Sequence, residues 1–312
     1  MKNCCIKQKE IIPIFFAADE NYLPYLAVAL CSLKENASKK YAYEIYILNA
    51  GVSCEAEAKI KKYEDDTFKV TFVDVSKEME SVKSSLQIRD YYTGATYYRI
   101  FIAEMFPQLD KAIYIDSDVV VPGDISEFYH KEIGDNLVGA IADEAVASVP
   151  EFRLYTKEVL GIDAQNYFNA GVLLMNLKKF RESNFYGGFC DLLKAYKFTV
   201  AQDQDYLNVL CAGQVAYFDK EWNKMPIGGV GITPKLIHYN LTMKPWHYET
   251  TLYKEYFWLY AKQTEDYDVI LKALDSYTDA QKQRDVECEK GLIALCVKEA
   301  EREDNYYKKY VK

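Results

Sequence analysis

The sequence predicts an α/β fold: a mixed, mostly parallel sheet covered by helices on both faces and followed by a helical tail. Three features predict it. Short β-rich runs alternate with helical patterns through the first half of the chain, as strand–helix–strand units require. One apolar run, Ala112-Ile113-Tyr114-Ile115, stops at Asp116-Ser117-Asp118, the pattern of a buried strand carrying polar groups to its carboxyl end. From about Thr251 onward the chain turns charged, aromatic and helix-prone.

Ile11 to Ala18 reads as the first strand. Asn21 to Glu35 reads as a helix, with Asn21 as its N-cap and Tyr22, Leu26, Leu30 and Leu33 along one apolar stripe. A strand at Tyr43 to Leu48, a helix at Ser53 to Asp65 and a strand at Lys69 to Val75 follow. A helix at Gly94 to Met105 leads into the Ala112 to Ile115 strand. Beyond it, Leu137 to Ala142 and Gly171 to Leu177 read as strands, and Lys178 to Tyr196 and Asp203 to Cys211 as helices. Val215 to Phe218 and Leu236 to Tyr239 read as short strands. Gly228-Gly229-Val230-Gly231 is a connector and not a phosphate loop, because no helical pattern follows it. Leu252, Tyr253, Tyr256, Phe257 and Tyr260 form a stripe at helical spacing that docks a tail on the domain. The alternative is a membrane-surface or partner-binding appendage, with Trp258 and Lys308-Lys309 near lipid. A main domain over 1–250 and a helical appendage over 251–312 are expected.

Composition narrows the function. A chain of 312 residues, 50 % of them apolar, can bury a substantial core. Its net charge of −9, with no long Lys/Arg cluster, argues against nucleic acid, whose binding rests on neutralising phosphates. The eight cysteines are dispersed without C-x-x-C spacing, which reads as reduced thiols in a cytoplasmic protein. There is neither an evident export signal nor a run long enough to span a membrane.

The acidic pair is the chemical signal. Residues two apart on an extended segment point to one side, so Asp116 and Asp118 share a face where bare carboxylates repel. A hard divalent cation reverses that repulsion by taking both as oxygen ligands. Four other segments could join them. Phe16-Ala17-Ala18-Asp19-Glu20-Asn21-Tyr22 turns from strand to helix, and is either a ligand-approach loop or a capped turn. Tyr167-Phe168-Asn169-Ala170-Gly171 is either a site wall or a tight entry into a buried strand. Gln202-Asp203-Gln204-Asp205 either caps a helix or presents a carboxylate and a carboxamide to a ligand. Ile237-His238-Tyr239 followed by Lys244-Pro245-Trp246-His247 offers an imidazole and a point charge for phosphate; a lone histidine there is more often structural.

The order and wording of these motifs, from about Ile11 to Trp246, closely resemble glycosyltransferase family 8, especially bacterial lipooligosaccharide α-galactosyl- and α-glucosyltransferases, with glycogenin a more distant relative. The resemblance implies a GT-A fold and a retaining hexosyltransferase that uses a UDP-sugar (UDP-galactose or UDP-glucose) with manganese, or magnesium in its place. It implies Asp116, Asp118 and His238 as metal ligands. Ala17, Asp19 and Asn21 match the nucleoside loop, and Asp116 and Ser117 border the ribose and diphosphate. Arg99, Asp143, Asn169, Ala170, Asp203 and Gln204 match positions lining the donor sugar, and Lys244 the lysine on the diphosphate. Leu241 stands where the family often has a glycine whose backbone meets the diphosphate.

The acceptor implied by analogy is a cell-surface glycan or glycolipid such as lipopolysaccharide, modified at the cytoplasmic side, with the tail as the point of peripheral membrane contact. Asp203 is the carboxylate for a double displacement. Gln204 offers only a weakly nucleophilic amide oxygen, and the balance favours front-face substitution, in which the departing phosphate takes the acceptor's proton. Two other readings compete: a degenerate sugar-nucleotide-binding relative, and a phosphatase of the haloacid-dehalogenase type, whose Asp-x-Asp usually continues with Gly-Thr where this chain has Val119-Val120.

Overall fold

The computed structural model describes residues 9–82, 94–229 and 231–312. Cys4, Cys5 and Val230 lie outside the described residues; the cysteines inside them are free thiols. Nine strands are described: β1 (Ile11–Ala17), β2 (Ala42–Asn49), β3 (Phe68–Asp74), β4 (Ala112–Ile115), β5 (Val119–Val120), β6 (Val138–Ala142), β7 (Phe168–Met175), β8 (Val215–Tyr217) and β9 (Ile237–His238). Seven form one sheet in the order β3-β2-β1-β4-β7-β6-β8, and β5 and β9 form a separate ribbon. Only β7 runs against its neighbours β4 and β6; the other pairings of the main sheet are parallel.

Side-chain alternation splits the core between the two faces of the sheet. Phe15, Tyr114 and Leu173 point to one face, towards the helices Phe185–Ala195 and Asp203–Leu210. Ile14, Phe16, Ile113, Ile115, Val172 and Leu174 point to the other, against the helix Leu23–Asn36. The register pairs Phe15 with Tyr114 and Tyr114 with Leu173, so each apolar set forms a continuous band.

Beyond shorter versions of the helix expected at Ser53 to Asp65, which runs Cys54–Lys61, and of the strand expected at Leu236 to Tyr239, which runs Ile237–His238, four departures from the sequence expectations stand out. The first helix begins at Leu23 behind a 3-10 turn, and Asp19, not Asn21, caps that turn by accepting from the Tyr22 N–H; Asn21 is exposed. Pro24 in the first helical turn fits this start, because its missing N–H is not needed there. The Gly94 to Met105 helix is a 3-10 segment through Phe101 with one α-turn after it. Lys178 to Tyr196 is two helices, Leu177–Glu182 and Phe185–Ala195, broken by Asn184 at φ 51°. Strand β7 starts three residues before the expected Gly171, which draws Asn169 and Ala170 into the ladder.

The tail consists of the helices Lys254–Ala261, Tyr267–Asp275 and Asp279–Glu301 and a last turn at Tyr307–Val311. Its stripe docks through Tyr253, Phe257 and Tyr260 onto Val28, Val120, Ile237 and Trp246. Trp258 packs edge-on against Phe257 and Tyr267. Among the described residues no helix is long and apolar enough to cross a membrane.

Candidate active site

The strand directions decide what meets at one edge of the sheet. β1, β4 and β6 run parallel and deliver their carboxyl ends there; antiparallel β7 delivers its amino end. Ala17, Asp116, Asp143 and Asn169-Ala170-Gly171 therefore converge. The Asp116 N–H donates to the Gly171 carbonyl at 2.8 Å, and the Ser117 hydroxyl to the Ala17 carbonyl at 2.8 Å.

After Asp118 the chain leaves the main sheet as β5, which pairs antiparallel with β9 and sets Val119 opposite His238. This ribbon puts the imidazole beside the acidic pair. His238 Nε2 lies 3.2 Å from Asp118 Oδ1 and 3.7 Å from Asp116 Oδ2. One ligand atom from each of the three residues falls within 4.8 Å of the others. A Cβ on Gly171 would stand 2.3 Å from His238 Cε1 and 2.6 Å from Asp116 Oδ2, so only glycine leaves room for this cluster. Two carboxylates and an imidazole suit a divalent ion that accepts oxygen and nitrogen, such as manganese. Lys244 donates to Asp118 Oδ2, so an ammonium already occupies part of the cation's electrostatic role. Burial works to raise the Asp118 carboxyl, but Lys244 and His238 outweigh it and hold it well below the usual carboxylate range.

Arg99 is the second organiser. It is 3 % exposed and lies over the Tyr114 ring, 3.1 Å from Asp116 Oδ1 through one nitrogen and 3.0 Å from Asp203 Oδ2 through another. It also donates to the Ala170 carbonyl. Asp203 is thereby clamped away from open solvent. Burial pushes its carboxyl up to about 7 even though Arg99 opposes the shift.

A third group faces the same edge. Gln204 Oε1 accepts from the Ala170 N–H at 2.9 Å, and Gln204 Nε2 donates to Asp143 Oδ2 at 3.2 Å. Asn169 Nδ2 donates to the same Asp143 oxygen at 3.0 Å, while the other Asp143 oxygen caps the helix Glu144–Ser148. Asp143, Asn169 and Gln204 border a cavity with about 510 Å³ of empty space, partly open to solvent, which Val146, Phe152 and Leu292 wall on its apolar side. Asn240 and Leu241 close it near β9. Leu241 takes φ 53°, the left-handed conformation that favours glycine.

The sequence-predicted residues thus fall into one neighbourhood, with two reassignments of local role. Asp19 caps a turn and exposed Asn21 stands beside it; neither reaches the carboxylate cluster through a hydrogen bond of its own. Asp205, from the polar helix start, turns into the core, where it accepts from Tyr155 at 2.7 Å and Tyr167 at 2.8 Å. Sequence reasoning missed Tyr114, whose hydroxyl donates to Asp116 at 2.8 Å, and Asn223, which touches His238. Glu221-Trp222-Asn223-Lys224 carried the only signal for Asn223, polar residues around a tryptophan.

A mostly parallel α/β sheet that gathers an Asp-x-Asp pair and a histidine beyond its carboxyl ends defines the class: this is a GT-A fold, the architecture of nucleotide-sugar glycosyltransferases. Within that class the chain belongs to glycosyl transferase family 8, whose model matches residues 13–250. It is 31 % identical over 216 residues to a putative glycosyltransferase of Haemophilus influenzae, a match of 68 % of this chain and 63 % of that one. The chain therefore spans less than two thirds of that relative. It is 26 % identical over 263 residues to the lipopolysaccharide 1,2-glucosyltransferase of Escherichia coli K12, covering 78 % of this chain and 75 % of the relative. The galactosyltransferase LgtC, solved with donor and acceptor sugar analogues, superimposes with a TM-score of 0.71 at 28 % identity over 83 % of this chain and all of that one (100 %). Membership of a glycosyltransferase family removes the phosphatase reading of the Asp-x-Asp pair.

Proposed function

We propose that this chain is a retaining, metal-dependent hexosyltransferase. It moves galactose or glucose from a UDP-sugar to a glycan acceptor of the cell surface, of the lipopolysaccharide kind, with residues 1–250 as the catalytic domain and 251–312 as a docked appendage. The observation that carries the proposal is the Asp116–Asp118–His238 cluster beside the Asp143–Asn169–Gln204 group at one sheet edge. Similarity to a lipopolysaccharide glucosyltransferase and to a galactosyltransferase supports the two donor sugars and the acceptor class.

Asp116, Asp118 and His238 would hold the ion, which when bound supplies Lewis-acid stabilisation of a diphosphate leaving group. Lys244, buried beside Asp118, brings a positive charge to the place where negative charge grows on that leaving group. Asp143 and Asn169 present polar atoms for sugar hydroxyls, and their mutual hydrogen bond holds both in place. Arg99 ties Asp203 and Asp116 together and so sets the sugar side against the diphosphate side.

In the reaction the anomeric C–O bond to the diphosphate breaks and an acceptor oxygen bonds the same carbon. The acceptor's proton passes to the leaving phosphate oxygen. Asp203 is buried and one of its carboxylate oxygens is engaged by Arg99. Gln204 Oε1 already accepts two hydrogen bonds, from the Ala170 N–H and from Asn169. Both features favour front-face substitution, with Gln204 steadying the cationic sugar, over a covalent intermediate.

The test is UDP release from a panel of UDP-sugars, with manganese and with chelator, for the intact chain and for Asp118→Ala. Manganese-dependent release from one donor, absent in the variant, is the expected result. Neither release nor binding of any donor would overturn the reading in favour of a non-catalytic relative.

A further inference from the structure

A buried chain of hydrogen bonds runs behind the acidic cluster. Asn223 Oδ1 lies 3.1 Å from His238 Nδ1, and Asn223 Nδ2 donates to Asn169 Oδ1 at 3.0 Å. Asn169 Nδ2 in turn donates to Asp143. Asn223 is 1 % exposed, His238 2 % and Asn169 5 %, so water cannot substitute for these partners.

The chain has a fixed direction. A backbone N–H can only donate, and that of Gly171 lies 3.0 Å from Asn169 Oδ1. The oxygen of the Asn169 amide is therefore the atom facing Gly171, and its nitrogen faces Asp143, whose carboxylate accepts. Asn223 meets that same Asn169 oxygen, so it must present its own nitrogen there. Its oxygen is left for His238, and an oxygen next to Nδ1 requires Nδ1 to carry the proton. Nε2 is the nitrogen that faces Asp116 and Asp118, and with a proton held on Nδ1 by Asn223 it is Nε2 that offers its lone pair once a cation lies between them.

We infer that Asn223 is a positioning residue: through Gly171 N–H, Asn169 and its own amide it keeps a proton on His238 Nδ1 and so leaves Nε2 as the nitrogen that a cation takes. The backbone supports the same assignment. Lys224 N–H bonds to the Leu236 carbonyl and His238 N–H to the Lys224 carbonyl, which locks residue 223 beside the ribbon that carries the histidine. The use of Nε2 as a ligand rests on the proposed function; the proton on Nδ1 rests on Asn223.

The experiment is a long-range proton–nitrogen NMR correlation of the imidazole rings with magnesium, a diamagnetic divalent ion, in excess, followed upward in pH until the rings are neutral. The chain has three histidines, and His238→Gln identifies the signal. Nδ1 is expected to show the protonated nitrogen shift and Nε2 the bare one. In Asn223→Ala the neutral ring should move towards Nε2–H, and manganese affinity, read by electron paramagnetic resonance, should fall by about 10- to 100-fold. A neutral wild-type ring protonated at Nε2 overturns the inference, even if Asn223→Ala fails to fold. So does an Asn223→Ala protein with unchanged tautomer and manganese affinity. Wild-type protein with the Nδ1–H tautomer and no manganese binding would confirm the positioning role and overturn the metal reading instead.

Discussion

The chain contains Asp-x-Asp at two places on the same sheet edge, and the pair behaves oppositely in each. Asp116 and Asp118 follow a strand, where a spacing of two returns a side chain to the same face. Both reach one cluster with His238. Asp203 and Asp205 open the helix Asp203–Leu210, where two residues turn the side chain by about 200°. Asp203 goes to Arg99, and Asp205 goes into the core between two tyrosine hydroxyls.

Electrostatics follows the geometry. Asp118 lies against Lys244 and His238 and is held low, whereas burial outweighs the single shared Arg99 at Asp203 and raises it. Asp205 has only neutral donors, and burial pushes it up to about 6. The same three letters thus yield two carboxylates gathered in one cluster in one setting and a clamp plus a core anchor in the other. Secondary structure, not composition, separates them.

The sharpest way to break this comparison is a double dissociation. Asp118→Ala should abolish transfer, by at least about 10²-fold, with little change in melting temperature. Asp205→Ala should leave two buried tyrosine hydroxyls and the Ala201 N–H unpartnered, and cost about 2–4 kcal/mol of stability by denaturant unfolding. Equal effects of both variants on stability would remove the distinction.

Gly171→Ala tests the strand-end cluster without touching a ligand. Its Cβ would press on His238 and Asp116, so manganese affinity should fall by about tenfold or more by calorimetric titration, with the far-ultraviolet dichroism unchanged.

The pH dependence of stability tests the helix start. The folded Asp205 carboxyl titrates at about 6 against 3.8 in the unfolded chain, so the native state holds a proton that the unfolded state has released. Its contribution is complete below about 3.8 and is lost as pH rises through about 6. Asp205→Asn should flatten the urea midpoint over that window; an unaltered slope would show that Asp205 is ionised when folded.

The smallest expected effect is at Leu241. Its left-handed φ of 53° costs about 1 kcal/mol in a non-glycine residue, partly offset by the entropy that glycine adds to the unfolded chain. Leu241→Gly should raise stability by less than about 1 kcal/mol. The backbone here keeps the conformation of the glycine that family resemblance leads one to expect.

Local pattern reached the longer strands, because Ile11–Ala17 and Ala112–Ile115 are almost wholly apolar and Ala42–Asn49 is rich in tyrosine and isoleucine around a single Glu44. It also reached the acidic pair, since strand periodicity is a property of adjacent residues. Element ends were less legible: the Asn184 break inside a helical pattern and the 3-10 start before Leu23 depend on backbone angles that several residue types can adopt. His238 was ambiguous for a different reason. Its value comes from β5 and β9 pairing across more than a hundred residues of chain, and a two-residue ribbon has no periodic signature.

What the sequence by itself determined, then, is the α/β alternation, the strand-borne carboxylates and the order of motifs that marks the family, all of them set by neighbours along the chain. The tertiary structure alone decided that β7 runs antiparallel, that Arg99 bridges Asp116 to Asp203, and that Asn223 stands behind His238. Those relations join residues far apart in sequence, and a hydrogen bond or ion pair between them exists only once burial has removed water as the competing partner.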